Sequence, residues 1–218
     1  METAQSEQEV LANIYTEIEK RFAGVDDPAH GWDHVNRVYA LAQHIARQEG
    51  ANVLVVSIAA LMHDLGRTVQ NNSTKHHAEL SAALAKELLA TYQVPADVQE
   101  AVAHAILAHS FTRGIAPRTL EARVVRDADR LDGLGAIGIL RWAITGTLQR
   151  SPQTKTYHPT DPFAEQHTPD DNNYMLDHFF TKLLKLSDTM TTDTGHTLAQ
   201  QRTAFMHTYL HELRKELE

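Results

Sequence analysis

From Val53 to Leu65 the chain is almost continuously apolar, broken by Ser57 and then, at its far end, by the adjacent pair His63 and Asp64. The run is longer than a usual strand, so it reads as a central helix buried on most sides, with a buried strand as the competing reading. A carboxylate at the edge of such a run is costly to desolvate unless a cation compensates it. A divalent metal held by both side chains supplies that compensation, so the pair points first to a metal site.

Other apolar residues recur at helical spacing almost throughout. Val10, Leu11, Ile14, Ile18 and Phe22 mark one stripe, and Val35, Val38, Leu41, Ala42 and Ile45 mark another. Leu80, Ala83, Leu84, Leu88 and Leu89 form a third, ended near Val94 and Pro95, where proline can also open the next helix through Ile106. Arg118 to Leu131 and Leu134 to Leu148 read as two more helices, separated by Gly133 and Gly135. The stretch from Ser151 to Asp171 has no sustained period and is expected to be a long loop of the kind that covers a pocket. Helical spacing resumes at Phe179, Leu183, Leu184 and Leu186, and again from Leu198 to Leu217. Because no series of alternating strand patterns appears, the pattern predicts an all-α bundle in one domain, residues 1–218.

Composition narrows the function. A net charge of -8 disfavours a broad surface for duplex nucleic acid, while a local basic pocket for one phosphorylated molecule stays open. With no cysteine and 14 histidines, any metal site must use His and carboxylates. No basic start followed by an apolar stretch and no long apolar span is evident, so a membrane address is disfavoured and a cytoplasmic one expected.

A bundle must draw the ligands of one ion from several helices. His34 opens the second helix in His30-Gly31-Trp32-Asp33-His34-Val35-Asn36-Arg37-Val38, and Asp129 lies four residues after Val125 and shares its inward face. The pairs His30/His34 and His207/His211 have zinc-type spacing, but neither forms His-Glu-x-x-His, and the second is expected to be solvated. No phosphate-binding glycine loop with Lys-Ser/Thr and no Gly-x-Ser-x-Gly elbow is present.

The order His34, His63-Asp64, Asp129, with Arg37-Val38 after the first and Leu65-Gly66 after the second, resembles the HD-domain superfamily of metal-dependent phosphohydrolases. The stretch from His34 to Leu140, including His77 to Ser81, His109-Ser110 and Asp127 to Gly138, is similar to its small bacterial single-domain branch, some members of which are nucleotide pyrophosphohydrolases. The tail from His178 to Leu217, with Lys182 and Arg202, is similar too. The resemblance implies an HD-type helical domain with its metal-binding core at about 26–135 and C-terminal helices at about 136–218.

It also implies that His34, His63, Asp64 and Asp129 ligate a divalent ion: Mn, Co, Ni, Mg, Fe or Zn, with Mn or Mg favoured. Two imidazoles and two carboxylates suit such ions and leave two octahedral positions for water and a phosphate oxygen. The ion would turn its water into a hydroxide nucleophile, with Asp64 as the catalytic residue positioning or deprotonating that water. His77 and His109 occupy places where binuclear relatives have additional histidines. Without the paired histidines and glycine-rich signature of the cyclic-dinucleotide branch, phosphate is the favoured role for both. Arg37 and Arg67 are expected to bind phosphate oxygens, or else to pair with Asp33, Asp132 or another carboxylate. Asp132 is expected to orient an arginine or a ligand histidine from behind, and Lys182 is a further substrate contact. The expected substrate is small and phosphorylated, a nucleotide above all, cleaved as a triphosphate at its α–β bond or as a monophosphate. A nucleotide-sensing protein with little turnover is the competing reading.

Overall fold

The computed structural model describes residues 6–25, 27, 29–69, 74–110, 113–149 and 151–217. Their regular structure is helical: α1 (Glu7–Phe22), α2 (Trp32–Glu49), α3 (Val53–Met62), α4 (His77–Thr91), α5 (Ala96–His109), α6 (Leu120–Leu131), α7 (Gly135–Gln149), α8 (His178–Thr181) and α9 (Asp193–Leu217). The chain packs as two compact units, residues 1–129 and 130–218. No described helix is long and apolar enough to cross a membrane.

In the first unit α3 is the central rod. The side chain of Asn52 accepts a hydrogen bond from the amide of Val55 and starts it, and every residue from Val55 to Met62 is buried. It packs against α1, α2 and α5, each of which lays its own apolar stripe on it. Ile14, Ile18, Val35, Val38 and Ile45 are all fully buried. The apolar run thus forms the expected helix, not a strand, but one that stops at Met62, leaving His63 and Asp64 at its open end.

A 3-10 turn, Leu65–Thr68, follows at once and docks on α4. Gly66 makes that docking possible, because a Cβ there would come within 2.3 Å of the His77 carbonyl oxygen and 2.8 Å of the Ser81 nitrogen. The Gly66 amide donates to the Ser81 hydroxyl at 2.8 Å, which locks the turn to α4. Gly31 plays a similar part before α2, where a Cβ would lie 2.7 Å from the Asp27 carbonyl oxygen.

In the second unit α7 packs on α9. Phe179 is buried between the rings of Trp142 and Tyr209, at centroid distances of 5.0 and 6.0 Å. The segment after Ser151 lacks regular structure, as its composition predicts, yet it is tightly tied. Lys155 and Tyr174 form a bridge, Met175 donates to the Lys155 carbonyl at 2.9 Å, and Leu176 donates to that of Thr156 at 2.9 Å. Asp161 gathers the amides of Glu165, Gln166 and His167, helped by a left-handed Ala164 at φ 50°. The helical spacing read around Leu183 is a 3-10 helix, Leu183–Thr189, and α9 begins five residues before Leu198.

Candidate metal centre

Four elements of the first unit deliver side chains to one spot. His34 comes from the first turn of α2, His63 caps the C-terminus of α3, Asp64 leads into the 3-10 turn, and Asp129 projects from α6. The His34 and His63 Nε2 atoms lie 3.2 Å apart. Asp129 Oδ1 is 3.4 Å from His34 Nε2 and 3.9 Å from His63 Nε2, and Asp64 Oδ2 is 3.9 and 3.8 Å from the same two atoms. Ligands at adjacent corners around an ion with bonds of roughly 2.1 Å stand about 3 Å apart, so these spacings suit a common cation better than mutual hydrogen bonds.

The donor chemistry supports the same conclusion. His63 Nδ1 lies 2.7 Å from the Ala60 carbonyl oxygen, which calls for a proton on Nδ1 and turns an unprotonated Nε2 toward the cluster. Burial pushes the His63 imidazole down to about 4 against the pull of Asp64, so the ring is neutral at neutral pH. Burial pushes the Asp64 and Asp129 carboxyls up, but the surrounding histidines, and Arg67 at Asp64, outweigh it and hold both below the usual carboxylate range. Two ionised carboxylates, the Nε2 lone pair of His63 and the imidazole of His34, buried except for the partly exposed Asp129, form a donor set that fits a divalent ion.

Asp64 reaches a second pair with its other oxygen. Oδ1 is buried without a hydrogen-bond partner and faces His77 Nε2 at 3.5 Å and His109 Nε2 at 3.8 Å. His109 is fixed much as His63 is, with Nδ1 2.5 Å from the Ile106 carbonyl oxygen. His77 is pushed down to about 3, by burial first. His63, Asp64 and His109 therefore make a second group with metal-binding spacing beside His34, His63 and Asp129. Six imidazoles run in a row through the site, His30, His34, His63, His109, His77 and His76, with successive centroids 4.1–5.9 Å apart.

Arg67 sits on Asp64, its Nε 2.7 Å from Oδ2 but outside hydrogen-bond geometry. Arg37 lies half-buried on α2, one turn beyond His34. In the second unit Asp132 is buried and accepts from Arg141 at 2.8 Å, a partner absent from the sequence reading, and Lys182 is exposed. His104, outside the row, accepts from the Arg118 amide at 3.0 Å, and His207 and His211 are exposed as expected. Sequence reasoning missed two pairs at the ends of the imidazole row: Asp27 with His30, 3.0 Å apart, and Glu79 with Arg113. Neither has a motif, because each is made by a turn or by elements distant in sequence.

The HD domain family model matches residues 31–134, a span that contains all four converging side chains. YpgQ of Bacillus subtilis is 33% identical over 198 residues, covering 88% of this chain and 86% of YpgQ. The chain belongs to the HD-domain superfamily. Solved structures agree with this membership. YpgQ in complex with ADP superposes with a TM-score of 0.74 at 31% identity, covering 97% of each chain. An HD-superfamily hydrolase from Bacillus thuringiensis gives 0.72 at 31% identity, covering 97% of this chain and 98% of that one. This HD protein is accordingly an enzyme, a metal-dependent phosphohydrolase with an all-α fold.

Proposed function

We propose that this HD enzyme hydrolyses a phosphate bond of a nucleotide, with His34, His63, Asp64 and Asp129 holding the ion. The observation that carries the reading is that the two imidazoles lie 3.2 Å apart at Nε2 and each stands 3.4–3.9 Å from an oxygen of both Asp64 and Asp129. Held there by His34, His63, Asp64 and Asp129, a divalent ion would supply Lewis acidity and lower the pKa of a water positioned to attack phosphorus. Asp64, with one oxygen toward His34 and His63 and the other toward His77 and His109, is placed to orient that water and accept its proton. His77 and His109 line the phosphate's side of Asp64, and Arg67 and Arg37 offer charge for its oxygens. The nucleotide assignment draws on the likeness to YpgQ, which has been solved with ADP. We assign Mn or Mg as the working ion, Asp132 as a buried support, and Lys182 as a further substrate contact.

The unpartnered Asp64 Oδ1 between His77 and His109 favours a second reading, in which a second cation sits there. Metal-stripped protein reconstituted with Mn, Co, Ni, Mg or Zn and assayed on nucleoside mono-, di- and triphosphates tests both. Pyrophosphate from triphosphates marks a pyrophosphohydrolase and orthophosphate from monophosphates a nucleotidase, while no release with any metal sinks the assignment. One or two ions per chain by elemental analysis separates the two readings.

A further inference from the structure

We propose that Arg126, one helical turn before Asp129 on α6, binds the substrate's phosphates beyond the one under attack. This rests on the phosphohydrolase reading above and adds a residue to it.

α6 is covered on nearly every side. Between Ala122 and Leu131, the residues Ala122, Val124, Val125, Asp127, Ala128 and Leu131 are all buried. The four left over, Arg123, Arg126, Asp129 and Arg130, recur at the three- and four-residue spacing of a single helix face. That face is where the metal centre meets solvent. Of the four converging side chains, those of His34 and His63 are 0% exposed and that of Asp64 is 3% exposed, whereas that of Asp129 is 27% exposed. A substrate that reaches the ion past these ligands crosses Asp129, beside a strip that holds three arginines and no second carboxylate.

Arg126 differs from the other two. Residues three apart on a helix are neighbours, with about 5–6 Å between Cβ atoms, so it flanks Asp129 directly. Arg130 is engaged, donating to the Thr189 carbonyl at 2.8 Å, and Arg123 is exposed. Arg126 is half-buried, its Nε is shielded from solvent without a hydrogen-bond partner, and it forms no ion pair among the described residues. Burial pushes its guanidinium down, with Asp127 pulling the other way, but adjacent residues on a helix do not face each other. A cation is costly to desolvate unless an anion pairs with it, and the planar fork of a guanidinium matches phosphate oxygens two at a time. In a chain of net charge -8, an unpaired arginine beside the opening of the metal centre is placed to take up the charge of an anionic substrate.

Calorimetric titration of the full chain in excess Mn, with ADP and AMP as probes, tests the assignment. Wild type is expected to bind ADP more tightly than AMP. Arg126→Gln should weaken ADP about tenfold or more while AMP changes by less than about twofold, since one charge-assisted contact is removed. Arg126→Lys restores the charge without the fork and should recover part of the loss. Arg123→Gln removes the same charge from an exposed position of the same strip and should leave ADP binding within about threefold of wild type. An unchanged ADP-to-AMP ratio in Arg126→Gln, no recovery by Arg126→Lys, equal weakening by Arg123→Gln, or no binding of ADP by wild type would overturn the proposal. Turnover with an Arg126-independent ratio would sink it and leave the phosphohydrolase reading standing. Arg126-dependent ADP binding without turnover on any nucleotide would do the reverse.

Discussion

The enzyme uses histidine and aspartate twice, in opposite ways. At the metal centre, His34 and His63 present Nε2 atoms to each other and to two carboxylates at 3.2–3.9 Å. In the segment that follows α7, His167 is clamped between Asp161 Oδ2 at 2.7 Å and Asp177 Oδ2 at 2.8 Å, with His158 stacked on its ring and Tyr174 at its edge. The first spacing leaves room for a cation between donors, whereas the second is closed by protons. Hydrogen bonds donated to Asp161 and Asp177 raise the His167 imidazole, while burial lowers that of His63. The same residue types make a pocket suited to a metal where carboxylates do not satisfy both ring nitrogens, and a structural clasp where they do.

The largest effect expected from this contrast is on metal content. Asp64→Ala should lose its bound ion and lower kcat/KM on the order of 10³-fold or more, with elemental analysis and turnover falling together. His167→Gln should keep both. Equal metal loss from the two variants would erase the distinction between pocket and clasp.

Acid should act on the two regions in opposite directions. For the metal-free protein, His63 in the folded state titrates near 4, below its value of about 6.5 in an unfolded chain. The unfolded chain then binds the extra proton, so stability is full above about pH 6.5 and falls as pH drops toward 4, by on the order of 3 kcal/mol from this ring. Thermal denaturation of apoprotein between pH 7.5 and 4, about the range of interest, measures the slope, and saturating metal should steepen it because protons compete for the ligands. His167 has the reverse sign. Its folded-state value is raised, so its contribution is complete below the unfolded value and is lost as pH rises through the folded one. Hydrogen-exchange protection factors for residues 155–177 should decline on the alkaline side, and His167→Gln should remove that dependence.

A smaller change sharpens the packing side of the contrast. Gly66→Ala should cost roughly 1–3 kcal/mol, the usual range for overpacking, because the added carbon meets the backbone of α4. Since the 3-10 turn carries Asp64 toward His77, lowered metal affinity should accompany the lower melting temperature. A Gly66→Ala protein with unchanged melting and metal affinity would mean that the docking of this turn does not hold the site.

Much of the first unit was legible because helical spacing and burial reinforce each other. The run after Asn52 has no exposed face to encode, so it reads as interior, and the stripes of α1 and α2 name the residues that cover it. His63 and Asp64 stood out as polar groups that such an interior cannot hold uncompensated. The pairing of Arg113 with Glu79 was invisible, since it joins residues 34 positions apart without a pattern. The segment after Ser151 was read as a loop, which it is, but its order comes from Asp161, Asp170 and Asp177 binding backbone amides, and turn residues carry no periodic signature.

By itself, the sequence determined the helical class, the central apolar rod and His63-Asp64 as a candidate metal-binding pair, because periodicity and the cost of burying charge are properties of residue type and spacing. The wider set with His34 and Asp129 came from the resemblance to the HD superfamily. Tertiary structure alone decided which atoms meet. The contact of Gly66 with α4 brings His77 to Asp64 Oδ1, and the bonds to the Ala60 and Ile106 carbonyls choose which nitrogen of His63 and His109 faces the site. Those outcomes depend on distances of a few tenths of an ångström between separate elements, and only the packed chain fixes them.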